Sequence, residues 1–93
     1  YEFYLNRGLK MNICFLVGKI ISDIEFKFII NNKKYYSISI FKIKLDNKSI
    51  IAVKGYNETA DWCYKNLIKN DSIAIYGNLN SEMEIIAQDI EFI

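Results

Sequence analysis

The sequence predicts an all-β barrel of five strands, interrupted by one helix between the third and fourth strands. Apolar and polar residues alternate in several runs rich in isoleucine, valine and tyrosine, which is the pattern of half-buried strands. Residues 59–69 instead space charged and apolar residues as an amphipathic helix does. At 93 residues the chain is long enough for one modest core, so we expect one domain.

The first strand begins at Ile13 and contains Gly18, where a missing side chain lets a barrel strand bend sharply. Residues 25–29 extend this strand beyond the bend. The asparagines and lysines of residues 31–34 then suit a tight turn into the second strand.

The second strand, residues 35–45, changes its alternation by one step between Ile40 and Phe41. Such a slip predicts a β-bulge, which inserts one extra residue into a strand. The residues that would then share one polar face are Ser37, Ser39, Lys42 and Lys44. Tyr35 and Tyr36 fit either a packed or an exposed position.

The third strand spans residues 48–56 and is followed by the helix, for which Asn57 is a candidate N-terminal cap. Asn70 suits the left-handed position that follows a helix. Both assignments place the helix firmly between two strands.

Two further strands complete the barrel at residues 72–76 and 83–93, joined by a hairpin at residues 78–82. Five strands with one helix between the third and fourth is the order of the oligonucleotide-binding (OB) barrel. We expect this OB-fold domain to occupy residues 11–93. Residues 1–10 lack the periodicity of the rest, and we expect a leader or an expression-derived segment there.

The composition excludes most enzyme chemistries. The chain has no histidine, which removes histidine general bases, histidine-dependent nucleophilic triads and histidine metal sites. No phosphate-binding or metal-binding constellation is evident, so we expect no catalysis, no metal and no cofactor. Cys14 and Cys63 lie among apolar residues without a CxxC pattern, which predicts buried thiols. With no signal sequence and no apolar run of membrane-spanning length, we expect a cytoplasmic protein without a membrane partner.

Charge is strongly segregated along the chain, although the net charge is only +1. Residues 33–54 contain six lysines against the single acidic residue Asp46, a net charge of +5. Residues 55–93 contain two lysines against seven acidic residues, a net charge of −5. One basic face on an otherwise acidic domain is the electrostatic footprint of a polyanion-binding protein.

Several short motifs of the chain occur together in bacterial single-stranded-DNA-binding proteins. They are Asn12 with Leu16-Val17-Gly18, Gly55, Thr59-Ala60-Asp61-Trp62 and Tyr76-Gly77-Asn78-Leu79. The chain therefore resembles this OB-fold family over about residues 11–93. Its ending, residues 87–93, is also similar to the short relative primosomal replication protein N, which is a compact dimer of the same barrel.

The resemblance implies that the protein holds single-stranded DNA, with RNA as an alternative, during replication, recombination or the activity of a mobile element. It also implies a homodimer or homotetramer, since relatives pair along the edge of the first strand. Relatives stack bases on aromatic residues at the positions of Lys48 and Lys54, and their hairpin between the last two strands is longer. Because the chain ends at Ile93, we expect no acidic C-terminal tail of the kind that recruits partners in full-length relatives.

Eight side chains are candidate nucleic-acid contacts. Those predicted to contact phosphates are Lys42, Lys44, Lys48 and Lys54 on the second and third strands, and Lys27 and Lys69 at basic positions of the family. Tyr56 and Tyr76 are candidate platforms for base stacking. Alternating lysines also protect exposed sheet edges, and half-buried tyrosines also serve packing, so each residue has a purely structural alternative.

Two functions compete on this evidence. The first is sequence-nonspecific binding of single-stranded DNA through these lysines and tyrosines. The alternative is an OB-fold protein-interaction module that has lost nucleic-acid binding, and the lysines at the stacking positions motivate it. Salt-sensitive binding to poly-dT distinguishes the two, because phosphate contacts release counterions.

Overall fold

Strands form most of the molecule. The computed structural model describes residues 2–5 and 9–93, with side chains described for residues 13–93. The elements are β1 (Glu2–Leu5), β2 (Leu9–Asn12), β3 (Cys14–Ile20), β4 (Glu25–Asn31), β5 (Lys34–Lys44), β6 (Ile50–Tyr56), α1 (Glu58–Asn66), β7 (Ser72–Leu79) and β8 (Ile85–Phe92). β1 and β2 pair with each other as an antiparallel two-stranded sheet, and the other six strands belong to one sheet.

The six-stranded sheet closes into a barrel. Its strand order is β3-β7-β8-β6-β5-β4, and a second pairing joins β3 to β5. β6 and β8 run parallel, whereas the other neighbours are antiparallel. The predicted first strand is β3 with its continuation β4, so the predicted five-stranded OB barrel, with one helix between its third and fourth strands, is confirmed.

Apolar side chains from five of these strands fill the barrel. The side chains that are at most 1% exposed include Ile20, Phe41, Ile43, Val53, Ile73, Ile75 and Ile85. Helix α1 adds Ala60 and Cys63 to this buried set, and both are fully buried. Cys14 is buried too, as predicted, and burial raises the pKa of the Cys63 thiol to about 11. The helix therefore packs against the barrel with one apolar side and a thiol that stays protonated.

The predicted β-bulge between Ile40 and Phe41 is wrong. β5 pairs with β6 residue by residue from Ile38, opposite Tyr56, to Lys44, opposite Ile50. A register shift occurs instead between β7 and β8, at Tyr76 and Gly77. The uninterrupted alternation of β5 determines which of its side chains point outward.

Without the bulge, Ser37 and Ser39 lie on the inner side of β5 and do not share a face with Lys42 and Lys44. Both serines are buried. The Ser39 hydroxyl donates to the carbonyl oxygen of Ala60 at 2.7 Å, and the Ser37 hydroxyl donates to that of Asn57 at 3.4 Å. Backbone acceptors at the start of α1 thus satisfy hydroxyls that the alternation pattern assigned to solvent.

The loops differ from their predictions in detail. Residues 32 and 33 both have positive φ in the β4–β5 turn, and Asn70 is left-handed at φ 82°, as predicted. Asn57 occupies the N-cap position of α1, as predicted, but its side chain makes no capping hydrogen bond. The third barrel strand begins at Ile50, which leaves Lys48 in the preceding turn with φ 71°.

The prediction that residues 1–10 are a leader stays a prediction. Residues 1 and 6–8 lie outside the described part of the chain. The described residues on either side form the two-stranded β1–β2 sheet, in which Leu5 pairs with Leu9.

Candidate nucleic-acid interface

One side of the barrel carries a sheet of outward-pointing side chains from β4, β5 and β6. On β5 the odd-numbered residues from Ser37 to Ile43 are buried, so the even-numbered residues point outward. We call this surface the outer face. Its members are Glu25, Lys27, Ile29 and Asn31 of β4, Lys34, Tyr36, Ile38, Ile40, Lys42 and Lys44 of β5, and Ile50, Ala52, Lys54 and Tyr56 of β6.

Strand register sets the rows of this face. Lys27, Ile38 and Tyr56 are direct cross-strand neighbours and form one row. The next row consists of Glu25, Ile40 and Lys54. Because directly opposite residues of antiparallel strands point to the same side, each row is continuous across three strands.

Lys42 and Lys44 are adjacent lysines of the outer face. Their cross-strand neighbours on β6 are Ala52 and Ile50, which carry no charge. Both lysines are exposed, and neither belongs to an ion pair within residues 13–93. Their ammonium groups are therefore available to an anionic ligand.

A third lysine joins them where the barrel closes. Lys19 of β3 is the cross-strand partner of Lys44, and it is exposed. The prediction of contact residues omitted Lys19 because the pairing of β3 with β5 is not visible in the sequence. Its position one residue after the strand bend at Gly18 was the only available signal.

Lys54 lies on the outer face but is held by a carboxylate. Its Nζ is 2.9 Å from Oε1 of Glu84, and the two side chains are 22% and 18% exposed. Asn80 also donates from Nδ2 to the same Glu84 oxygen at 2.9 Å. The hydrogen bond to Glu84 raises the pKa of Lys54, and hydrogen bonds from Asn80 and then Lys54 lower the pKa of Glu84.

Two tyrosine rings lie side by side on the outer face. The ring centroids of Tyr36 and Tyr56 are 5.8 Å apart. Ile38, directly opposite Tyr56, is only 4% exposed although it points outward, so neighbouring side chains cover it. Tyr36 was not among the predicted contact residues, because the predicted bulge put Ser37 and Ser39 on the face of Lys42 and Lys44. Unbroken alternation of β5 puts Tyr36 on that face instead.

Three solved structures have the same architecture. The single-stranded-DNA-binding (SSB) domain of a Synechococcus protein superimposes with a TM-score of 0.77 at 19% identity, over 87% of this chain and 94% of that chain. The second single-stranded DNA binding protein of Mycobacterium smegmatis gives 0.69 at 18% identity, over 87% of each chain. The wild-type single-stranded DNA binding protein of Thermus aquaticus gives 0.73 at 19% identity, over 96% of this chain and 43% of that chain.

The chain has the OB fold of SSB domains. At these identities the likeness establishes the fold alone, and the chain spans less than half of the Thermus aquaticus protein. No protein-family model and no curated protein matches the sequence. The similarity to primosomal replication protein N stays a prediction.

This OB barrel does not bring all the predicted contact residues together. Lys27 belongs to the outer face, where it lies 3.8 Å from Glu25, and Lys48 lies in the turn beyond the row of Lys44. Tyr76 points outward from β7, which β8 separates from β6, and its ring packs 4.7 Å from that of Phe15.

Lys69 is not a member of the outer face either. It follows the helix, and together with Asp23, Ile24 and Tyr64 it lines a shallow pocket. The outer face therefore unites Lys27, Lys42, Lys44, Lys54 and Tyr56 and leaves Lys69 and Tyr76 elsewhere.

The OB barrel has two further exposed apolar surfaces. Phe28, Ile30 and Tyr35 lie on the opposite side of the β4–β5 hairpin and are 70%, 79% and 76% exposed. Phe15 and Val17 of β3 are about half-exposed next to Tyr76 and Ala74 of β7. Each surface is a candidate for contact with another molecule.

The described residues contain no cluster of three or more potential metal ligands. Over the same part of the chain, no helix has the length and apolar character needed to cross a bilayer.

Proposed function

We propose that the protein binds single-stranded DNA without sequence specificity along the outer face. The observation that carries this proposal is the placement of exposed Lys42 and Lys44 on the same strand face as the Tyr36–Tyr56 ring pair. Ammonium groups contact phosphates, and tyrosine rings stack on bases, so the two kinds of group together hold one strand. The fold shared with proteins named as single-stranded DNA binding supports the proposal.

In this proposal the bound DNA runs along β5. Among the outward-pointing residues of β5, lysines lie at both ends: Lys34 at one end, and Lys42 and Lys44 at the other. Tyr36, Ile38 and Ile40 lie between them. At about 3.3 Å per residue, the 11 residues of β5 span roughly 36 Å. That length accommodates several nucleotides, within the range of about 4–16 that OB folds bind.

The chemistry of the outer face favours binding without base selection. Rings and ammonium groups interact with any base and any phosphate, respectively. Asn31, at the hairpin end of β4, is the only carboxamide among the outer-face residues. Hydrogen-bond readout of base edges therefore has few groups to use.

The predicted contact residues take different roles in this proposal. The bound DNA directly contacts Lys27, Lys42, Lys44 and Tyr56. Lys48 adds a phosphate contact beyond Lys44. Lys19 and Tyr36 are added to the set. Lys69 and Tyr76 would contact only DNA that continues around the barrel.

The biological setting is the one that the sequence suggested: replication, recombination or a mobile element, in the cytoplasm and without catalysis. RNA remains the alternative ligand. A homodimer or homotetramer also belongs to this proposal. β3 pairs with β5 only at Lys19 and Ile20, so within the described residues the stretch from Phe15 to Gly18 has no strand neighbour on that edge. An edge of that kind can pair with a second copy of the chain.

The protein-interaction module remains a second candidate function. Exposed Phe28, Ile30 and Tyr35 form the apolar surface that such a module needs, and the ion pair of Lys54 removes one predicted phosphate contact. A module of this kind would not need the uncompensated charges of Lys42 and Lys44.

A fluorescence titration of labelled poly-dT at low and moderate salt tests the proposal. We expect binding that weakens steeply with salt, and Lys42→Glu plus Lys44→Glu should abolish it. Each lost phosphate contact reduces the slope of log K against log salt by about 0.7 for single strands. Lys65→Glu, on the exposed side of α1, is the matched control for single Lys44→Glu, since both change the net charge equally. Absence of binding by the unmodified protein at low salt would reject DNA binding in favour of the interaction module.

A further inference from the structure

Lys54 differs from the other lysines of the outer face because a carboxylate from the turn between β7 and β8 is bonded to it. Glu84 directly precedes β8, whose parallel pairing with β6 places Ile85 beside Val53 and Ile86 beside Lys54. The Lys54–Glu84 distance of 2.9 Å is that of a charge-assisted hydrogen bond. A basic side chain beside the candidate DNA path along β5 therefore already has an anionic partner.

The turn between β7 and β8 holds this carboxylate in place. The Asn80 side-chain oxygen accepts hydrogen bonds from the backbone N–H groups of Glu82 and Glu84, each at 2.9 Å. The Asn80 backbone N–H donates to the Glu84 carbonyl oxygen at 2.9 Å, and the Asn80 side-chain amide donates to the Glu84 carboxylate at 2.9 Å. Because these hydrogen bonds fix the turn, Glu84 reaches Lys54 from a preset position.

We propose that Glu84 competes with nucleic-acid phosphate for Lys54 and thereby limits the affinity of the outer face. The inference rests on the proposed DNA-binding function and concerns the regulation of that same surface. A phosphate that approached Lys54 would lie close to the Glu84 carboxylate, and like charges repel. Phosphates of the bound DNA are therefore held mainly by lysines other than Lys54, such as Lys19, Lys42 and Lys44, which form no ion pair within residues 13–93.

A purely structural role for the pair predicts different behaviour. The parallel pairing of β6 with β8 includes only two residue pairs, and the ion pair could simply stabilise that short junction. In that case neutralising Glu84 would lower the melting temperature and leave the salt dependence of DNA binding unchanged. Competition with phosphate predicts a change in the salt dependence itself.

Glu84→Gln is the decisive variant, because a glutamine still accepts the Asn80 hydrogen bond but does not hold an ammonium group by charge. We expect the slope of log K against log salt for poly-dT to become steeper by about 0.7, the increment for one additional phosphate contact on single strands. Affinity at low salt should rise by up to about fivefold, the upper end for an ion pair near the surface. Glu84→Ala should give the same slope, and thermal melting verifies that each variant is folded.

Two further variants identify the cause. In a Lys54→Gln background, Glu84→Gln should produce no gain, since the released lysine is absent and the two effects are not additive. Glu82→Gln changes the same charge in the same turn, but within residues 13–93 Glu82 has no ion pair with Lys54, so we expect a much smaller change in slope.

The outcomes separate this inference from the proposed function. Binding by the unmodified protein with an unchanged slope in Glu84→Gln would overturn the inference and leave the proposed function intact. A gain that persists without Lys54, or that Glu82→Gln reproduces, would also overturn it by indicating a general charge effect. No binding by the unmodified protein and none by Glu84→Gln would reject both.

Discussion

Lys19 and Lys44 lie directly opposite each other on β3 and β5, where the barrel closes. Like charges at directly opposite positions of a sheet are destabilising, and no carboxylate within residues 13–93 forms an ion pair with either lysine. The barrel thus keeps two ammonium groups together beside Lys42. An anionic ligand is the partner that would turn this repulsion into a favourable interaction.

Lys19→Gln should therefore affect stability and binding in opposite directions. Relief of the repulsion should increase the free energy of unfolding by a few tenths of a kcal/mol, about the lower end for a cross-strand pair. Loss of one phosphate contact should reduce the salt slope for poly-dT by about 0.7. Urea denaturation and a salt titration measure the two effects, with Lys65→Gln as the control on α1. A Lys19→Gln protein that binds poly-dT with an unaltered salt slope would exclude Lys19 from the interface.

Tyr36 should be a stacking residue together with Tyr56. Tyr36→Leu keeps an apolar side chain but removes the ring, so we expect a loss of binding free energy of about 1–3 kcal/mol. Tyr36→Phe should retain most of the affinity because the ring is kept. Tyr35→Leu is the matched control, since Tyr35 points to the opposite side of the hairpin. Equal losses for Tyr35→Leu and Tyr36→Leu would contradict a path confined to the outer face.

Gly77 should be irreplaceable at the register shift between β7 and β8. A Cβ added at Gly77 would overlap the backbone carbonyl oxygen of Ile86. Because backbone atoms cannot move aside as a side chain can, Gly77→Ala should destabilise the protein by about 1–3 kcal/mol in urea denaturation. At Gly55 the nearest atom is the Thr59 methyl carbon at 3.0 Å, a side-chain atom, so Gly55→Ala should cost less. The reverse order of the two variants would show that β8 can shift.

The Lys54–Glu84 pair should make stability depend on pH in the acidic range. The folded state holds the pKa of Glu84 below its ordinary value, mainly through the Asn80 hydrogen bond and then through Lys54. A carboxylate with a lowered pKa contributes stability that is fully present above its unfolded pKa and is lost as pH falls through the folded pKa. The unmodified protein should therefore melt at a higher temperature than Glu84→Gln at pH 7, and this difference should shrink as the pH is lowered to 3. A difference in melting temperature that stays constant from pH 7 to pH 3 would show that Glu84 does not cause the pH dependence.

Local patterns were sufficient for much of the fold. Alternation located the strands, the helical spacing located α1, and the Asn31 to Lys34 sequence identified the turn that the structure contains. These features depend on neighbouring residues only, so they can be read along one chain. The same reasoning failed at Ser37 and Ser39, where polarity suggested solvent but buried hydrogen bonds to the start of α1 satisfy both hydroxyls.

The sequence by itself determined where the strands and the helix lie along the chain and how charge is segregated along it, since each follows from the order and spacing of side chains along the backbone. Only the tertiary structure decided which charges are neighbours. Lys44 pairs across to Lys19 through the β3–β5 closure, and Lys54 meets Glu84 through the β6–β8 pairing. Both relationships depend on the register between strands distant in sequence, which closure of the barrel sets and local alternation does not specify.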